Sequence, residues 1–409
     1  MAAEPQALAA GLFLRLTALG GAAAAGAVVV SAASGLDAGH WGAALLGLAF
    51  QLALVLGAWY AYPHLRAGAF VALGLLASAI ATGGLVALSG DARWAVVLHV
   101  GAAAATLAGC LYVAGASLRG VTVAAGPWRD YVTLTKPRVM SLLLLTGVAG
   151  MFVGAGGTPP AVDVIALTVG LALACGGAAA FNHVLDADID RLMGERTADR
   201  PVAAGRVLAP RAIEFGLALS ALSFVILTAA NNVLTALLAL GGNFFYVVVY
   251  TRWLKRSTDQ NIVIGGIAGA VPPLVGYAAG SGSLGWPALW LFLIVFLWTP
   301  PHFWALALMI KEHYANAKVP MLPVSRGDAA TRTQILVYSV AMVLFTLAVG
   351  LALGPVYTLG ALLLGLVFLV MAWQLRRDGT RRRAAVLFHY SLLYLALLFV
   401  VAGLDPLLT

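Results

Sequence analysis

The sequence predicts an all-α, polytopic membrane protein, and three observations carry this prediction. The chain has 409 residues, of which 62% are hydrophobic and 10% are charged, whereas soluble domains contain about 25% charged residues. The mean hydropathy is +0.96. Apolar runs of about twenty residues, each long enough to cross the hydrocarbon core of a bilayer, recur along the chain. Together these features exclude a soluble globular domain.

Four apolar runs near the beginning of the chain predict four membrane-spanning helices. They lie near 11–33, 41–61, 68–89 and 94–117. A polar stretch with the helix breakers Gly126, Pro127 and Pro137 follows, and such a cluster marks a loop. We therefore predict a four-helix membrane domain over 1–120 and a second domain over 121–409.

The second domain contains nine further apolar runs, which brings the predicted total to about 13 helices. They lie near 138–155, 161–182, 209–229, 232–250, 261–279, 286–308, 334–353, 356–375 and 385–403. If the N-terminus is cytoplasmic, nearly all lysines and arginines fall in cytoplasmic gaps, and Arg93 is the exception. The net charge of +8 therefore reflects topology and does not indicate a nucleic-acid partner.

The first polar loop of the second domain reads AAAFNHVLDADIDRLMGERTADRPVAAGR, from 178 to 206. Asn182, Asp186 and Asp190 are spaced four apart, so a helix continuing through them stacks their side chains on one face, whereas Asp188 points elsewhere. Such a group of oxygens repels itself unless a cation such as Mg²⁺ or Mn²⁺ lies among them. We therefore predict a metal site at Asn182, Asp186 and Asp190.

Basic side chains near these carboxylates predict that the metal accompanies a diphosphate. Arg196 and Arg200 follow in the same loop, and guanidinium groups donate in the forked geometry that phosphate oxygens accept. Lys136, Arg138 and Tyr250 are further candidate diphosphate ligands. The alternative is a charged cytoplasmic loop of the kind that any polytopic protein carries.

The second polar loop reads YVVVYTRWLKRSTDQNIVIGGIAGAVPPLVGYAAG, from 246 to 280. Lys255 and Arg256 lie where a helix meets water, and such residues often serve only as interfacial anchors. The functional alternative is that both close on the diphosphate from the side opposite Asp186 and Asp190. The pair Pro272–Pro273 predicts a break in the helix near the middle of the membrane, and broken helices usually line cavities.

The third polar loop reads WTPPHFWALALMIKEHYANAKVPMLPVSRG, from 298 to 327. It joins His302, within an apolar run, to His313 among aromatic residues. Histidine can ligate iron and aromatic rings can flank a flat macrocycle, so this loop suits a haem. His183, in the first loop, is a third candidate haem residue. The alternative is that His302 is a hydrogen-bonded packing residue.

The three loops resemble motifs of a known superfamily. The N-x-x-x-D-x-x-x-D spacing followed by T-x-x-R-P-x-x-x-G-R (Thr197 to Arg206) resembles the first aspartate-rich motif of the UbiA-type intramembrane prenyltransferases. YTxxLKRxTxxNxxxGGxxGAxPPxxG and LWTPPHFWALA…YxxAxVPMLPV resemble the protoheme IX farnesyltransferases (haem O synthases). The resemblance covers about 128–403. Most of the superfamily has a second acidic pair after the second loop, where this chain has Asp259 alone.

This resemblance implies a fold, a reaction and a location. The fold is a nine-helix intramembrane bundle in the cell (inner) membrane, with the aspartate motif and the N-terminus cytoplasmic. The reaction transfers farnesyl from farnesyl diphosphate to a vinyl group of haem b, and water adds to give haem O. The catalytic residues would be Asn182, Asp186, Asp190, Lys255 and Arg256. Candidate partners besides the bilayer are haem A synthase and terminal-oxidase assembly proteins.

The first four helices lie outside this resemblance. His40 and His99 are both expected near the non-cytoplasmic face, where they could pair to hold a haem, although isolated histidines are more often interfacial or packing residues. LRLTALGGAAAAGAVVVSAASGLDAGHW and LVALSGDARWAVVLHVGAAAATLAG resemble one half of a haem A synthase. The larger cysteine-bearing outer loop of that family is missing. We therefore expect a reduced haem-binding or docking domain.

Two other functions remain as alternatives. A prenyltransferase for a quinone or other lipid precursor is disfavoured by the missing acidic pair and by the haem-type third loop. A transporter is disfavoured because transporters tend to show internal repeats and intramembrane charges, whereas the charges here cluster at one face.

Overall fold

A computed structural model of the chain describes residues 66–89, 93–117 and 128–408, together with isolated positions between 20 and 55. These ranges are almost entirely helical and contain no strand. Ten helices within them are long and apolar enough to cross a membrane. The predicted all-α membrane protein is therefore confirmed. Because the first two predicted helices lie almost entirely outside the described residues, the total of about 13 stays a prediction.

The long helices are numbered here in chain order from residue 66. They are α1 (Arg66–Leu88), α2 (Arg93–Ser117), α3 (Pro137–Ala155), α4 (Ala161–Leu185), α5 (Ala209–Ala230), α6 (Val233–Phe244), α7 (Asn261–Ser281), α8 (Trp286–Met309), α9 (Gly327–Gly350), α10 (Pro355–Asp378) and α11 (Arg381–Leu408). Short helices on the connections are Trp128–Leu134, Ala187–Leu192, Glu195–Ala198, Lys311–Asn316 and Leu322–Ser325. The apolar runs predicted after residue 138 coincide with α3 to α11.

Helix α6 continues as a π-helix at Phe245–Leu254 before a last α-helical turn at Lys255–Ser257. π-helical segments are rare and occur frequently at functional sites, because the wider turn changes which side chains share a face. Thr251 and Leu254 are buried within this segment, and Lys255 follows directly. On α7, a Cβ at Gly265 would overlap the ring of a π-helix residue, Tyr250. The absent side chain at 265 therefore lets the π-helix approach α7.

Helices α3 and α7 pack with their backbones almost in contact. A Cβ added at Gly276 would overlap the carbonyl oxygen of Gly147, and one added at Gly280 would overlap the carbonyl oxygen of Met151. From the facing helix, a Cβ at Gly150 would overlap the carbonyl oxygen of Pro273. Small residues drive helix association in membranes because they allow this close approach. The glycines thus fix the spacing of the two helices.

The expectation that Pro272 and Pro273 break the second-loop helix is wrong. Both prolines are buried inside α7, which runs from Asn261 to Ser281 without interruption. Pro300 and Pro301 likewise lie inside α8. Prolines are tolerated in membrane helices because tightly packed neighbours support the local backbone. Here the closely packed α3 provides that support to α7.

Helices α1 and α2 form a hairpin whose second helix rests on α5. Val100 of α2 and Val225 of α5 are buried together in this contact. His99 is 3% exposed, and its Nδ1 lies 2.8 Å from the carbonyl oxygen of Ala79 on α1. The ring therefore lies between α1 and α2 and is hydrogen-bonded to the backbone. His40, its predicted partner, is outside the described residues.

Candidate diphosphate and metal site

The aspartate loop keeps helical geometry beyond the end of α4. The amide of Asp186 donates to the carbonyl oxygen of Asn182 at 2.9 Å, and the amide of Asp190 donates to that of Asp186 at 2.8 Å. The side chains of Asn182, Asp186 and Asp190 consequently lie along one face. Their exposed fractions are 2%, 1% and 1%. The structure thus places these three side chains together and away from solvent.

Two cationic side chains from different elements reach the buried carboxylates. The Nζ of Lys255, just after the π-helix, donates to Asp186 Oδ2 at 2.5 Å. From the following loop, Arg200 Nη1 donates to Asp190 Oδ1 at 2.6 Å. Removal of either partner leaves the other charge unpaired in a buried site, so each of these two ion pairs requires both of its members. Lys255 and Asp186 are 69 residues apart, so sequence spacing alone could not have matched them.

Asn182 is held by groups from three separate elements. Its Oδ1 accepts a 2.5 Å hydrogen bond from Nζ of Lys136, which immediately precedes α3. Its Nδ2 donates to Asp186 Oδ2 at 2.8 Å and to the hydroxyl of Thr251 at 3.1 Å. Both the amide oxygen and the amide nitrogen are therefore oriented, so the side chain presents a fixed geometry to the cluster.

Burial perturbs the ionisable groups of this site. Burial raises the pKa of Asp190, and Arg200 opposes that shift. Burial also lowers the pKa of Lys136 to about 7, and the charges of Arg200 and Lys255 lower it further. Because charges interact more strongly where water is excluded, the cluster is suited to hold a highly charged ligand.

The carboxylates retain capacity for a further ligand. Asp186 Oδ1 and Asp190 Oδ2 are both buried and have no hydrogen-bond partner. Buried polar atoms are almost always paired, and hard divalent cations prefer oxygen ligands. No group of three or more His, Cys, Asp or Glu side chains suited to a metal occurs in the described part of the chain. A cation at these oxygens would therefore rely on Asn182 in addition to the two carboxylates.

Arg256 does not reach the cluster, contrary to its predicted place beside Lys255. It donates twice to Asp188, at 2.7 Å each, and once to the carbonyl oxygen of Leu185, at 2.5 Å. The Asp188 side chain is 64% exposed, and hydrogen bonds from Arg256 lower its pKa to about 2. Consecutive helical residues face different directions, so Lys255 and Arg256 contact opposite sides of the aspartate segment.

The remaining candidate diphosphate ligands are more dispersed. Arg138 is exposed at the start of α3. Tyr250 packs on Gly265 and stacks with Tyr246 at a ring separation of 5.7 Å. The side chain of Arg196 lies outside the described residues. Only Lys136, Arg200 and Lys255 of the described predicted cations contact the side chains of the aspartate face.

Sequence reasoning missed two residues at this site. Thr251 is completely buried and accepts a hydrogen bond from Asn182. The sequence feature that could have identified it is its position four residues before Lys255. Tyr314 lies on the short helix Lys311–Asn316, which contacts the aspartate loop through His313 against Gly194, and burial raises the pKa of Tyr314 to about 12. The third loop therefore comes close to the aspartate loop.

The third-loop histidine, His302, is enclosed by aromatic rings. Its ring stacks on Trp298 at 4.2 Å and 15° and on Phe388 at 4.7 Å and 19°. Its Nδ1 lies 2.6 Å from the hydroxyl of Ser391. Both ring faces and one nitrogen are thus engaged inside the bundle, which is the arrangement of a packing residue.

The other candidate haem histidines lie beside the aspartate loop. His313 is exposed, and its ring lies against Gly194 of the aspartate loop. His183 is 2% exposed, and neither of its ring nitrogens has a hydrogen-bond partner. The structure thus separates the three histidines: His302 lies deep in α8, whereas His183 and His313 flank the aspartate loop.

Replacement of His302 by alanine is expected to lower thermal stability, because it removes a ring that fills the space between two others. The expected loss is on the order of 3 kcal/mol, whereas Ser391→Ala removes one hydrogen bond and should cost about 1 kcal/mol. Thermal unfolding in detergent would measure both. A His302→Ala variant of unchanged stability that alters the Soret band of added haem b would instead identify an iron ligand.

A family model describes the part of the chain that contains this site. The model of the UbiA prenyltransferase family matches residues 143–398, which include the aspartate face, Lys255 and His302. The chain belongs to the UbiA prenyltransferase family. The predicted family resemblance is therefore confirmed, and the residues before α3 lie outside the matched span.

Curated relatives match over the same region. The protoheme IX farnesyltransferase of Roseiflexus castenholzii is 52% identical over 279 residues, 68% of this chain and 52% of that protein. That of Symbiobacterium thermophilum is 50% identical over 285 residues, 68% of this chain and 94% of that protein. That of Gloeobacter violaceus is 48% identical over 291 residues, 70% of this chain and 95% of that protein. The chain spans about half the length of the first relative and nearly all of the other two.

Solved structures share the fold of the same region. Digeranylgeranylglyceryl phosphate synthase superposes with a TM-score of 0.58 at 16% identity, over 69% of this chain and 99% of that protein. A UbiA homolog from Archaeoglobus fulgidus bound to GPP and Mg²⁺ superposes with a TM-score of 0.53 at 18% identity, over 67% and 99%. At these identities the similarity establishes the fold of the prenyltransferase region.

Proposed function

We propose that this chain transfers the farnesyl group of farnesyl diphosphate to a vinyl group of haem b, and that water adds to give the side chain of haem O. The observation that supports prenyl transfer is the buried face of Asn182, Asp186 and Asp190, which basic side chains contact. Haem b is proposed as the acceptor because relatives that match over 94% and 95% of their own length are protoheme IX farnesyltransferases.

We further propose Mg²⁺, or Mn²⁺, as the cofactor, held by Asn182, Asp186 and Asp190. The donor set fits, because Asp186 Oδ1 and Asp190 Oδ2 are buried oxygens without partners. A divalent cation at such a site stabilises negative charge as the diphosphate leaves. The Archaeoglobus fulgidus homolog that binds GPP also binds Mg²⁺, which supports this choice.

Three cations of this chain would bind the diphosphate oxygens. Lys136, Arg200 and Lys255 already donate to the aspartate face, and in a desolvated site fixed donors stabilise charge that develops on a leaving group. The carbon–oxygen bond breaks, and its electron pair leaves with the diphosphate. The vinyl π electrons form the new carbon–carbon bond, and water captures the resulting cation and releases a proton.

The farnesyl cation requires surroundings that exclude water. The half-buried rings of Tyr246 and Tyr250 stack within the π-helix, between Lys255 and the membrane interior. Aromatic ring faces stabilise cations by about 0.5–2 kcal/mol. We propose that these two rings shield the prenyl chain.

The test is a reconstituted assay with purified full-length protein. Farnesyl diphosphate, haem b and Mg²⁺ are supplied together, and pigments are extracted and weighed by mass spectrometry. A product heavier than haem b by one farnesyl group and one hydroxyl is expected. A chain that leaves haem b unchanged but prenylates an aromatic quinone precursor would contradict the proposed acceptor and favour the quinone alternative.

Lys255→Ala is expected to lower kcat/KM by about 10²-fold to 10³-fold, the effect of losing one preorganised donor to a developing anion. Arg256→Ala should cost less than about tenfold, since its guanidinium binds the exposed Asp188 and surface ion pairs contribute little. Initial rates of product formation measure both. Equal losses in the two variants would place Arg256 in the diphosphate site after all.

We also propose that the aspartate face lies at the cytoplasmic side of the cell membrane, because lysine and arginine concentrate in the loops on that side.

Residues 1–120 would form a separate domain. Its deletion should leave haem O formation intact, since Val225 of α5 would merely exchange Val100 for lipid, and lipid is as apolar as the lost partner. A truncated chain that inserts and folds but makes no product would contradict the division.

A further inference from the structure

The turn between α10 and α11 carries a dense positive charge. Its sequence from 376 to 383 is RRDGTRRR, with five arginines and one aspartate. Asp378 pairs with Arg383 at 3.3 Å. Arg376, Arg377, Arg381 and Arg382 form no ion pair in the part of the chain that the structure describes. These like charges repel one another.

The guanidinium of Arg332, a residue of α9, also contacts this turn. A Cβ at Gly379 would overlap the guanidinium of Arg332, and Gly379 has a positive φ of 65°, so a side chain is disfavoured there. Arg332 Nε is buried and has no hydrogen-bond partner. A buried donor without an acceptor is costly. Arg332 therefore adds a further positive charge beside this turn.

A groove opens beside the turn. Its volume is about 540 Å³, and Leu369, Val370 and Trp373 of α10 form its apolar side. Arg377, Asp378 and Arg383 lie at its polar end, where Asp378 pairs with Arg383 and Arg377 supplies the net positive charge. Arg383 is fixed there by a 2.7 Å hydrogen bond to Gln374. The groove thus joins an apolar wall to a basic rim at the end of a membrane-spanning helix.

We propose that this groove binds an anionic phospholipid, with its phosphate at Arg377 and an acyl chain along Leu369, Val370 and Trp373. Topology alone explains basic residues at a cytoplasmic helix end, but it does not require them to border an apolar groove. A lipid supplies both a negative headgroup and an apolar chain. Trp373 is 59% exposed, and tryptophan favours the headgroup level of a bilayer. Anionic lipids attract such basic clusters.

The test measures lipid binding to the full-length protein by native mass spectrometry with phosphatidylglycerol and with phosphatidylcholine. Arg377→Ala should weaken phosphatidylglycerol binding about fivefold, the effect of one basic residue at an anionic surface. Arg381→Ala is the matched control, because it removes the same charge from the same turn but does not line the groove. It should change binding less than twofold. Trp373→Ala should weaken binding of the lipid as well.

Three results would overturn the proposal. Equal losses in Arg377→Ala and Arg381→Ala would indicate a diffuse electrostatic effect. Equal binding of phosphatidylcholine and phosphatidylglycerol would show that the groove does not require an anionic headgroup. Displacement of phosphatidylglycerol by millimolar inorganic phosphate, together with unchanged phosphatidylglycerol binding in Trp373→Ala, would identify a site for free phosphate that does not use the apolar wall.

Discussion

Asp186→Ala and Asp190→Ala are each expected to lower prenyl transfer by about 10³-fold or more. Both carboxylates are 1% exposed, and each offers one oxygen without a hydrogen-bond partner. Stabilisation of a leaving group by a bound metal ion is worth several kcal/mol, and each 1.36 kcal/mol corresponds to about a tenfold change in rate. Turnover of farnesyl diphosphate with haem b would measure the loss.

Two controls separate a catalytic from a structural effect of these substitutions. Alanine at 190 leaves Arg200 without its partner; because the Arg200 side chain is 32% exposed, the loss of stability should be smaller than the about 3–5 kcal/mol of a fully buried pair. Asp190→Asn and a thermal melt therefore accompany it. Asp188→Ala should be mild, because Asp188 is exposed and bound to Arg256. If Asp188 proves as essential as the other two, the single-face arrangement is not the catalytic one.

Gly276→Ala is expected to destabilise the protein by about 3 kcal/mol or more, at the upper end of overpacking effects. The new methyl group would overlap the carbonyl oxygen of Gly147. Backbone atoms cannot rotate away, so α3 and α7 must separate along their contact. The drop in melting temperature of the purified protein in detergent measures the effect.

Gly269→Ala is the matched control on the same helix. A Cβ there meets nothing within 4 Å, and alanine is favoured over glycine in a helix by about 1 kcal/mol. This variant should be as stable as the parent chain or more so. Similar melting temperatures for the two variants would mean that the glycine contact does not set the distance between α3 and α7.

The helices of the prenyltransferase region could be read from the sequence. Each apolar run after residue 138 became a helix of the described structure. The reason is local: within hydrocarbon a segment must satisfy its own backbone, so a sufficiently long apolar run forms a helix whatever its neighbours are. The single face of Asn182, Asp186 and Asp190 followed for the same reason, since spacing of four within a helix fixes the direction of side chains.

The pairing of charges could not be read from the sequence in this way. Lys255 and Arg256 are adjacent, yet one contacts Asp186 and the other Asp188. Which carboxylate each one meets depends on how the π-helix at the end of α6 approaches the aspartate loop. Thr251 and Tyr314 were missed for the same reason, because their places at the site depend on segments far apart in sequence.

The tertiary structure also decided the course of the helix at the prolines and the surroundings of His302. Pro272 and Pro273 stay inside a continuous α7 because the glycines of α3 allow a neighbour to support them. His302 is stacked between Trp298 and Phe388, and Phe388 comes from α11, far along the chain. The sequence by itself determined the membrane class, the helices after residue 138, the family and the aspartate face, which depend on composition, motifs and local spacing. Only packing between distant helices determined the ion pairs, the uninterrupted α7 and the surroundings of His302.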